Sequence, residues 1–267
     1  KPGGFVGNPT GNVFYSETDA IGERPPDPKD ESRMEIERKR IPQLVPPAVV
    51  LPHGKVGQSP TGVITEKSGG KFGPFAGQVL VGEQTHSQVQ RVFLEKVNGY
   101  YQGAVWHFLE GFRSGIVPLR ISDDGYLFVG TTNRGWGARG GLPFSFERVT
   151  WAGKVPFEMH EMRARPDGFE VSFTEAVDAK TAGDPASWSM QAWTYIYRAK
   201  YGSPEVDYAE PKFVSATVGE DRKSVRLKID GLVKGHVHHL KAPGVRAQDG
   251  RELWHPDAYY TLNEIPN

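Results

Sequence analysis

The stretch Val117-Pro118-Leu119-Arg120-Ile121-Ser122-Asp123-Asp124-Gly125-Tyr126-Leu127-Phe128-Val129 decides the fold class. Two β-branched and aromatic runs flank Ser122-Asp123-Asp124-Gly125. An Asp-Gly step between such runs is a hairpin signal, because glycine takes a positive φ without a Cβ clash. Upstream, apolar runs at 49–52, 61–64, 78–83, 89–94 and 101–109 read as further short strands, and 144–151 adds one downstream. A weaker β-like run lies at 11–18. Residues 25–40 are Pro-rich and then densely charged; 30–40 reads as a short solvated helix inserted between strands, since mixed charge runs face solvent. Strands in such quick succession predict antiparallel four-stranded units, the size of a β-propeller blade. Residues 1–153 hold two to three of them. A closed propeller needs at least about four. The blades are therefore expected to be completed by an upstream segment or by another subunit.

The pattern changes after 152–157, where a junction is expected. From 154 to 267, strands read at 168–173, 212–218, 224–229, 235–240 and 258–262, and a turn at 184–190 leads into an edge strand. About seven short strands with frequent turns predict an immunoglobulin- or fibronectin-like β-sandwich. Phe169, Phe173, Trp188, Phe213, Val225, Leu227 and Leu240 are its candidate core. The fold class is thus all-β: partial propeller blades, then a sandwich.

Lys plus Arg and Asp plus Glu both total 32 among 267 residues. That balance gives no electrostatic footprint for nucleic acid or an anionic membrane. There is no cysteine, which excludes disulfides, thiol catalysis and thiolate metal sites. No apolar run approaches the roughly 20 residues of a membrane helix. The start, Lys1-Pro2-Gly3-Gly4-Phe5, carries neither an initiator Met nor an apolar signal core and reads as cut from something longer.

At Gly77-Gln78-Val79-Leu80-Val81-Gly82-Glu83 and Val89-Gln90-Arg91-Val92, then Gly111-Phe112-Arg113-Ser114-Gly115-Ile116-Val117 and Asp124-Gly125-Tyr126-Leu127-Phe128-Val129, the chain resembles the glucose/sorbosone dehydrogenase family. It is similar above all to the last blades and C-terminal sandwich of large secreted planctomycete-type proteins. The resemblance implies a six-bladed propeller and, in the quinoprotein members, pyrroloquinoline quinone with calcium. It further implies oxidation of a sugar or polyol, a cytochrome c electron acceptor, and a periplasmic or extracellular location. Arg113 matches a cofactor-contacting arginine of those members. Their cofactor-contacting Lys falls here near Thr85 or His86, so that contact is missing. The family's catalytic His lies in earlier blades.

Four constellations carry candidate chemistry. Glu83-Gln84-Thr85-His86 ends a strand, with Glu83 and His86 spaced as general base and orienter. Asn133-Arg134-Gly135-Trp136-Gly137-Ala138-Arg139-Gly140-Gly141 combines close backbone approach at glycine, forked donors for a carboxylate or phosphate on Arg134 and Arg139, and a stacking surface on Trp136. It lacks the Gly-Lys-Ser/Thr ending of a phosphate loop. His236 and His238 share a strand face at metal-ligand spacing, with His255 and Asp257 the nearest further donors. Asp123-Asp124-Gly125 and Asp249-Gly250 are turns before they are calcium loops.

Three functions follow. The first is the C-terminal portion of a sugar or polyol dehydrogenase, with Arg113, Arg134 and Arg139 gripping anionic groups. The second is a non-catalytic carbohydrate- or protein-binding scaffold. The third is a calcium-dependent lactonase drawing on Glu17, Glu83 and Asn133.

Overall fold

The computed structural model describes the backbone of Phe5–Val6 and the whole of residues 26–267. The run at 11–18, and Glu17 within it, lie outside the described residues. Strand β1 (Phe5–Val6) pairs in parallel with β2 (Leu44–Val45), and helix α1 (Met34–Arg40) lies between them in sequence. The long meander is β3 (Pro60–Thr65), β4 (Val79–Glu83), β5 (Gln88–Val97) and β6 (Tyr100–Leu109). A three-stranded meander follows: β7 (Ile116–Ile121), β8 (Leu127–Thr132) and β9 (Phe144–Val149). After residue 153 come β10 (Met159–Arg165), β11 (Gly168–Phe173), α2 (Ala179–Ala182), β12 (Ser189–Tyr195), β13 (Glu205–Ala209), β14 (Lys212–Val218), β15 (Ser224–Asp230), β16 (His236–Lys241) and β17 (Asp257–Leu262).

These strands form open, mainly antiparallel sheets, none closed into a barrel. The largest has eight strands in the order β13-β12-β16-β17-β6-β5-β4-β3. It takes half its strands from each side of residue 153, because β17 pairs with β6 (Tyr259 opposite Val105, Thr261 opposite Gly103). A four-stranded sheet, β10-β11-β15-β14, packs over the β12-β16-β17 end, and β7-β8-β9 packs over the β3-β4 end.

The chain explains its own turns. Asn98 and Gly99 both adopt positive φ between β5 and β6, the conformation that lets a two-residue hairpin follow the strand twist. At the deciding hairpin, Gly125 N–H donates to Ser122 O (2.9 Å) with Gly125 at φ 84°. α1 carries Glu35 and Glu37 in its first turn and Arg38, Lys39 and Arg40 in its last, the polarity its dipole favours. This helix is not wholly solvated. Glu37 is buried and accepts from Ser32 Oγ (2.5 Å) and Arg40 Nε (2.7 Å), while Arg38 reaches Glu264 (3.3 Å) and lies over the Tyr100 ring.

Two faces of the large sheet are covered. On one, Phe93, Ala104 and Trp106 join Phe169, Phe173, Trp188, Val225, Leu227 and Leu240 in a single core, with Phe213 packed at its margin. Leu80 and Val89 meet Ile116, Leu119, Leu127 and Val129 under the three-stranded sheet. On the other, Val81, Val92, Val105, Trp193, Val237 and Tyr259 are covered by Val49, Val50, Leu51 and Val56. Residues 49–52 form no strand: they run extended across this face, tied by Val50 N–H to Thr261 Oγ1 (2.8 Å). The 184–190 turn leads not to an edge but to β12, which is flanked by β13 and β16.

Between the two covering sheets lies Arg91, fully buried. Its guanidinium stacks on Phe75 and Trp106 and donates to Gln78 Oε1 (2.6 Å), Met159 O (2.7 Å) and His160 O (3.1 Å). Desolvation pulls its pKa down to about 10, against the opposing field of Glu158. Among the described residues no helix is long and apolar enough to cross a membrane.

Candidate functional site

The β4–β5 turn is built around a buried carboxylate. Glu83 is inaccessible to solvent and accepts the backbone N–H groups of Gln58 (3.0 Å), Ser59 and His86. An acceptor so placed organises a turn whose amides would otherwise lack partners. His86 Nδ1 stands 3.5 Å from Glu83 Oε2, so the two residues are neighbours, as their spacing suggested. The carboxylate is nonetheless occupied by backbone donors.

The Gly-rich loop after β8 docks on this turn. Trp136 Nε1 donates to Thr85 Oγ1 (2.9 Å), and Gln84 Nε2 donates to Trp136 O (2.6 Å). Arg139 N–H donates to Thr85 O (2.9 Å) and Gly140 N–H to Ser87 Oγ (3.0 Å). The far end of the loop is fixed to the β6–β7 connection by Leu142 N–H to Arg113 O (3.0 Å) and Ser114 Oγ to Leu142 O (2.6 Å). Asn133 closes the loop on itself through Nδ2 to Gly141 O (3.1 Å).

Three loops thus meet around a cleft of about 440 Å³ whose lining includes His86, Arg113, Arg139 and Phe112. Among the described residues no acidic side chain lines it, and the nearby Glu147 Oε1 accepts the Arg113 N–H (3.0 Å). Two arginines lining one cavity favour an anionic ligand, above all a planar carboxylate that guanidinium binds in a fork. The structure therefore brings His86, Arg113 and Arg139 together, with Glu83 directly behind. Arg134 and Trp136 sit exposed on the loop outside the cleft lining, and the indole of Trp136 acts as an anchor through Thr85. Ser87 and Leu142 line the cleft as well; neither carries a sequence signal.

His236 and His238 are bound to protein atoms. His238 is fully buried, accepts Val233 N–H at Nε2 (3.3 Å) and faces His236 O with Nδ1 (3.3 Å). His236 contacts Lys234 O (3.2 Å) and Asp207 O (3.1 Å). Burial pushes the His238 pKa down to about 3, and a strand between β12 and β17 is not an exposed one. The further donors are engaged elsewhere, His255 with Glu158 (2.6 Å) and Asp257 with His239 (2.7 Å). Among the described residues, no three His, Asp or Glu side chains group to hold a metal ion. Asp123 offers its carbonyl to Lys71 Nζ (2.7 Å).

No protein-family model and no curated protein matches the chain. Among solved structures it is similar to the S-layer protein rSbsC(31-844), at 18% identity over 40% of this chain and 14% of that one, with a TM-score of 0.31. It is similar also to domains 1-6 of surface layer protein SbsC (18% identity, 42% and 14% coverage, TM-score 0.32) and to the N-terminal part of the bacterial S-layer protein SbsC (17%, 42% and 25%, 0.32). The chain spans a quarter or less of the length of each.

Proposed function

We propose that this chain is the ligand-binding C-terminal part of a secreted, propeller-type protein akin to sugar and polyol dehydrogenases, and that its arginine cleft grips a carboxylate-bearing ligand. One observation carries the reading: His86, Arg113 and Arg139, from three separate loops, line one cavity with no acidic residue among the described residues of its wall. The resemblance supplies the reaction class; the cleft supplies the charge of what binds.

Pyrroloquinoline quinone, an aromatic polycarboxylate, suits these donors, since forked guanidinium pairs hold carboxylates in plane. When bound it would supply the two-electron acceptor for alcohol oxidation. Arg113 and Arg139 would bind and orient it, Glu83 would keep the His86 turn in place, and Phe112 would give the cavity an apolar floor. Calcium fits less well, because the described residues offer no group of three His, Asp or Glu side chains, and calcium takes six to eight oxygens. No step is assigned to it. Delivery of electrons to a cytochrome c outside the cytoplasm belongs to the same reading.

The architecture is read in the same frame. The orders β10-β11-β15-β14 and β13-β12-β16-β17 correspond to the A-B-E-D and C′-C-F-G sheets of an immunoglobulin-type sandwich. The two preceding meanders, packed face to face through Thr61 Oγ1 to Ile116 O (2.8 Å), are read as propeller blades. A scaffold role that binds carbohydrate or protein is favoured by exposed Phe146 on the edge strand β9, stacked on half-buried Phe128 of β8 (5.7 Å between centroids).

The test is a fluorescence titration of the chain with pyrroloquinoline quinone, with and without calcium. Arg113→Ala and Arg139→Ala are expected to weaken binding about tenfold each, the weight of one charged hydrogen-bonded pair. Dye reduction with glucose and sorbitol, in a chain extended upstream, then separates dehydrogenase from scaffold. Absence of quinone binding, or binding by both variants as tight as by the parent chain, ends the reading.

A further inference from the structure

A second cleft runs along the connection from β9 to β10, where the chain crosses from the three-stranded to the four-stranded covering sheet. Its volume is about 380 Å³, within the range of small-molecule sites. Its walls are aromatic: Phe75 and Phe108 meet edge to face (5.2 Å), and the indoles of Trp151 and Trp254 stand at the rim, Trp254 largely exposed. Such a rim offers flat apolar faces to water at a position that no core requires.

The cleft also has a polar floor. Glu158 lines it and is 2% exposed. Its Oε1 meets His255 Nδ1 (2.6 Å), and its Oε2 is buried without a hydrogen-bond partner. A carboxyl oxygen left bare in an apolar site is costly unless a donor arrives. The backbone of Glu158 is itself fixed, its N–H donating to Thr174 Oγ1 (3.0 Å), so only rotation of the side chain can bring the buried Oε2 to the cleft.

The electrostatics narrow the donor. Arg91 lies behind Phe75 and interacts with Glu158 through its field, and Lys154 is on the rim. Two cations around one carboxylate disfavour a cationic ligand. The carboxylate itself disfavours an anionic one. What remains is a neutral ring bearing hydroxyl donors and an apolar face.

We propose that this cleft is a saccharide-binding site, in which a neutral pyranose ring lies against the indoles of Trp254 and Trp151 and the Glu158 side chain turns its Oε2 into the cleft to accept a hydroxyl. It is separate from the arginine cleft and shares no residue with it. Titration of the full chain with methyl β-glucoside, cellobiose and maltose, followed by calorimetry, tests it. At least one sugar is expected to bind with a millimolar dissociation constant. Trp254→Ala, a change at an exposed position, is expected to weaken it about tenfold, the upper end of an aromatic contact. Glu158→Gln is expected to weaken it further, and Arg113→Ala to leave it unchanged. Failure of all three sugars to bind, binding unaltered in Trp254→Ala, or loss in Arg113→Ala overturns the proposal. Choline and citrate serve as cationic and anionic probes, and preference for either over the sugars overturns it too.

Discussion

Gly140 has no side chain, and that absence sets how close the Arg139 segment comes to Arg113. A Cβ there would run into the backbone at Arg113 and Ser114. Backbone cannot yield as a side-chain end can, so Gly140→Ala should lift the loop and separate the two arginines. The expected outcome is about a tenfold loss of quinone affinity with a stability change of only about 1–2 kcal/mol, read by titration and urea unfolding. Unaltered affinity would mean that the loop does not position Arg139. His238 gives a second test at this scale. Its folded pKa lies near 3 because it is buried without charge compensation, below the roughly 6.5 of an unfolded histidine. The unfolded chain therefore binds the extra proton between these values. The stabilisation is full above about pH 6.5 and falls as pH drops toward 3. The shift corresponds to a loss on the order of 5 kcal/mol. Urea midpoints from pH 7 to pH 4 should fall less steeply in His238→Phe than in the parent chain; parallel slopes would remove His238 from the account.

The loop 133–142 behaves as an element although it is neither helix nor strand. Its order comes from hydrogen bonds to residues 84–87 and 113–115, each worth about 1 kcal/mol. Trp136→Ala removes the Nε1 bond to Thr85. Hydrogen exchange at Arg139 and Gly140 N–H is expected to speed up about fivefold or more, with strands β5 and β6 unaffected; equal protection in both proteins would show that the loop holds without its anchor. This element was legible in the sequence as a Gly-Arg-Trp cluster. Its docking site was not, because Thr85 and Trp136 are 51 residues apart. The strands differ in the same way. The Ser122–Gly125 hairpin and the alternating 168–173 run announce themselves by local rules. β10 does not: a register shift between Met159 and Glu161 breaks the two-residue period, so Met159, Met162 and Ala164 point inward from a charged-looking segment. β13 carries another irregularity where β12 shifts register between Ala192 and Thr194, and Asp207 takes a positive φ. Unread, it left β12 looking like an edge. Convergence of His86, Arg113 and Arg139 depends on three such distant placements and has no local signature.

At the scale of the molecule, the eight-stranded sheet joins what the composition divides at residue 153. The β6–β17 pairing supplies the backbone link, and Tyr260 adds side-chain links through Gln102 Nε2 (2.8 Å) and Glu95 Oε1 (2.5 Å). Arg91 ties the same two segments a second time by capping the carbonyls of Met159 and His160. A core that draws Phe93, Ala104 and Trp106 together with Phe169 and Leu227 cannot be lost from one segment without exposing apolar area in the other. Unfolding should therefore be cooperative across residue 153. Urea curves followed by tryptophan fluorescence and by far-ultraviolet circular dichroism are expected to coincide in one transition. Arg91→Met keeps the apolar stem but takes the donor from the Met159 carbonyl and from Gln78 Oε1, while His160 O keeps Gln78 Nε2 (2.7 Å), so it should lower stability by roughly 3 kcal/mol and weaken the seam between the covering sheets. If the parent chain already unfolds in two separate steps, the sheet is a contact between independent units. If it unfolds in one step and Arg91→Met splits that step, the buried arginine is what couples them.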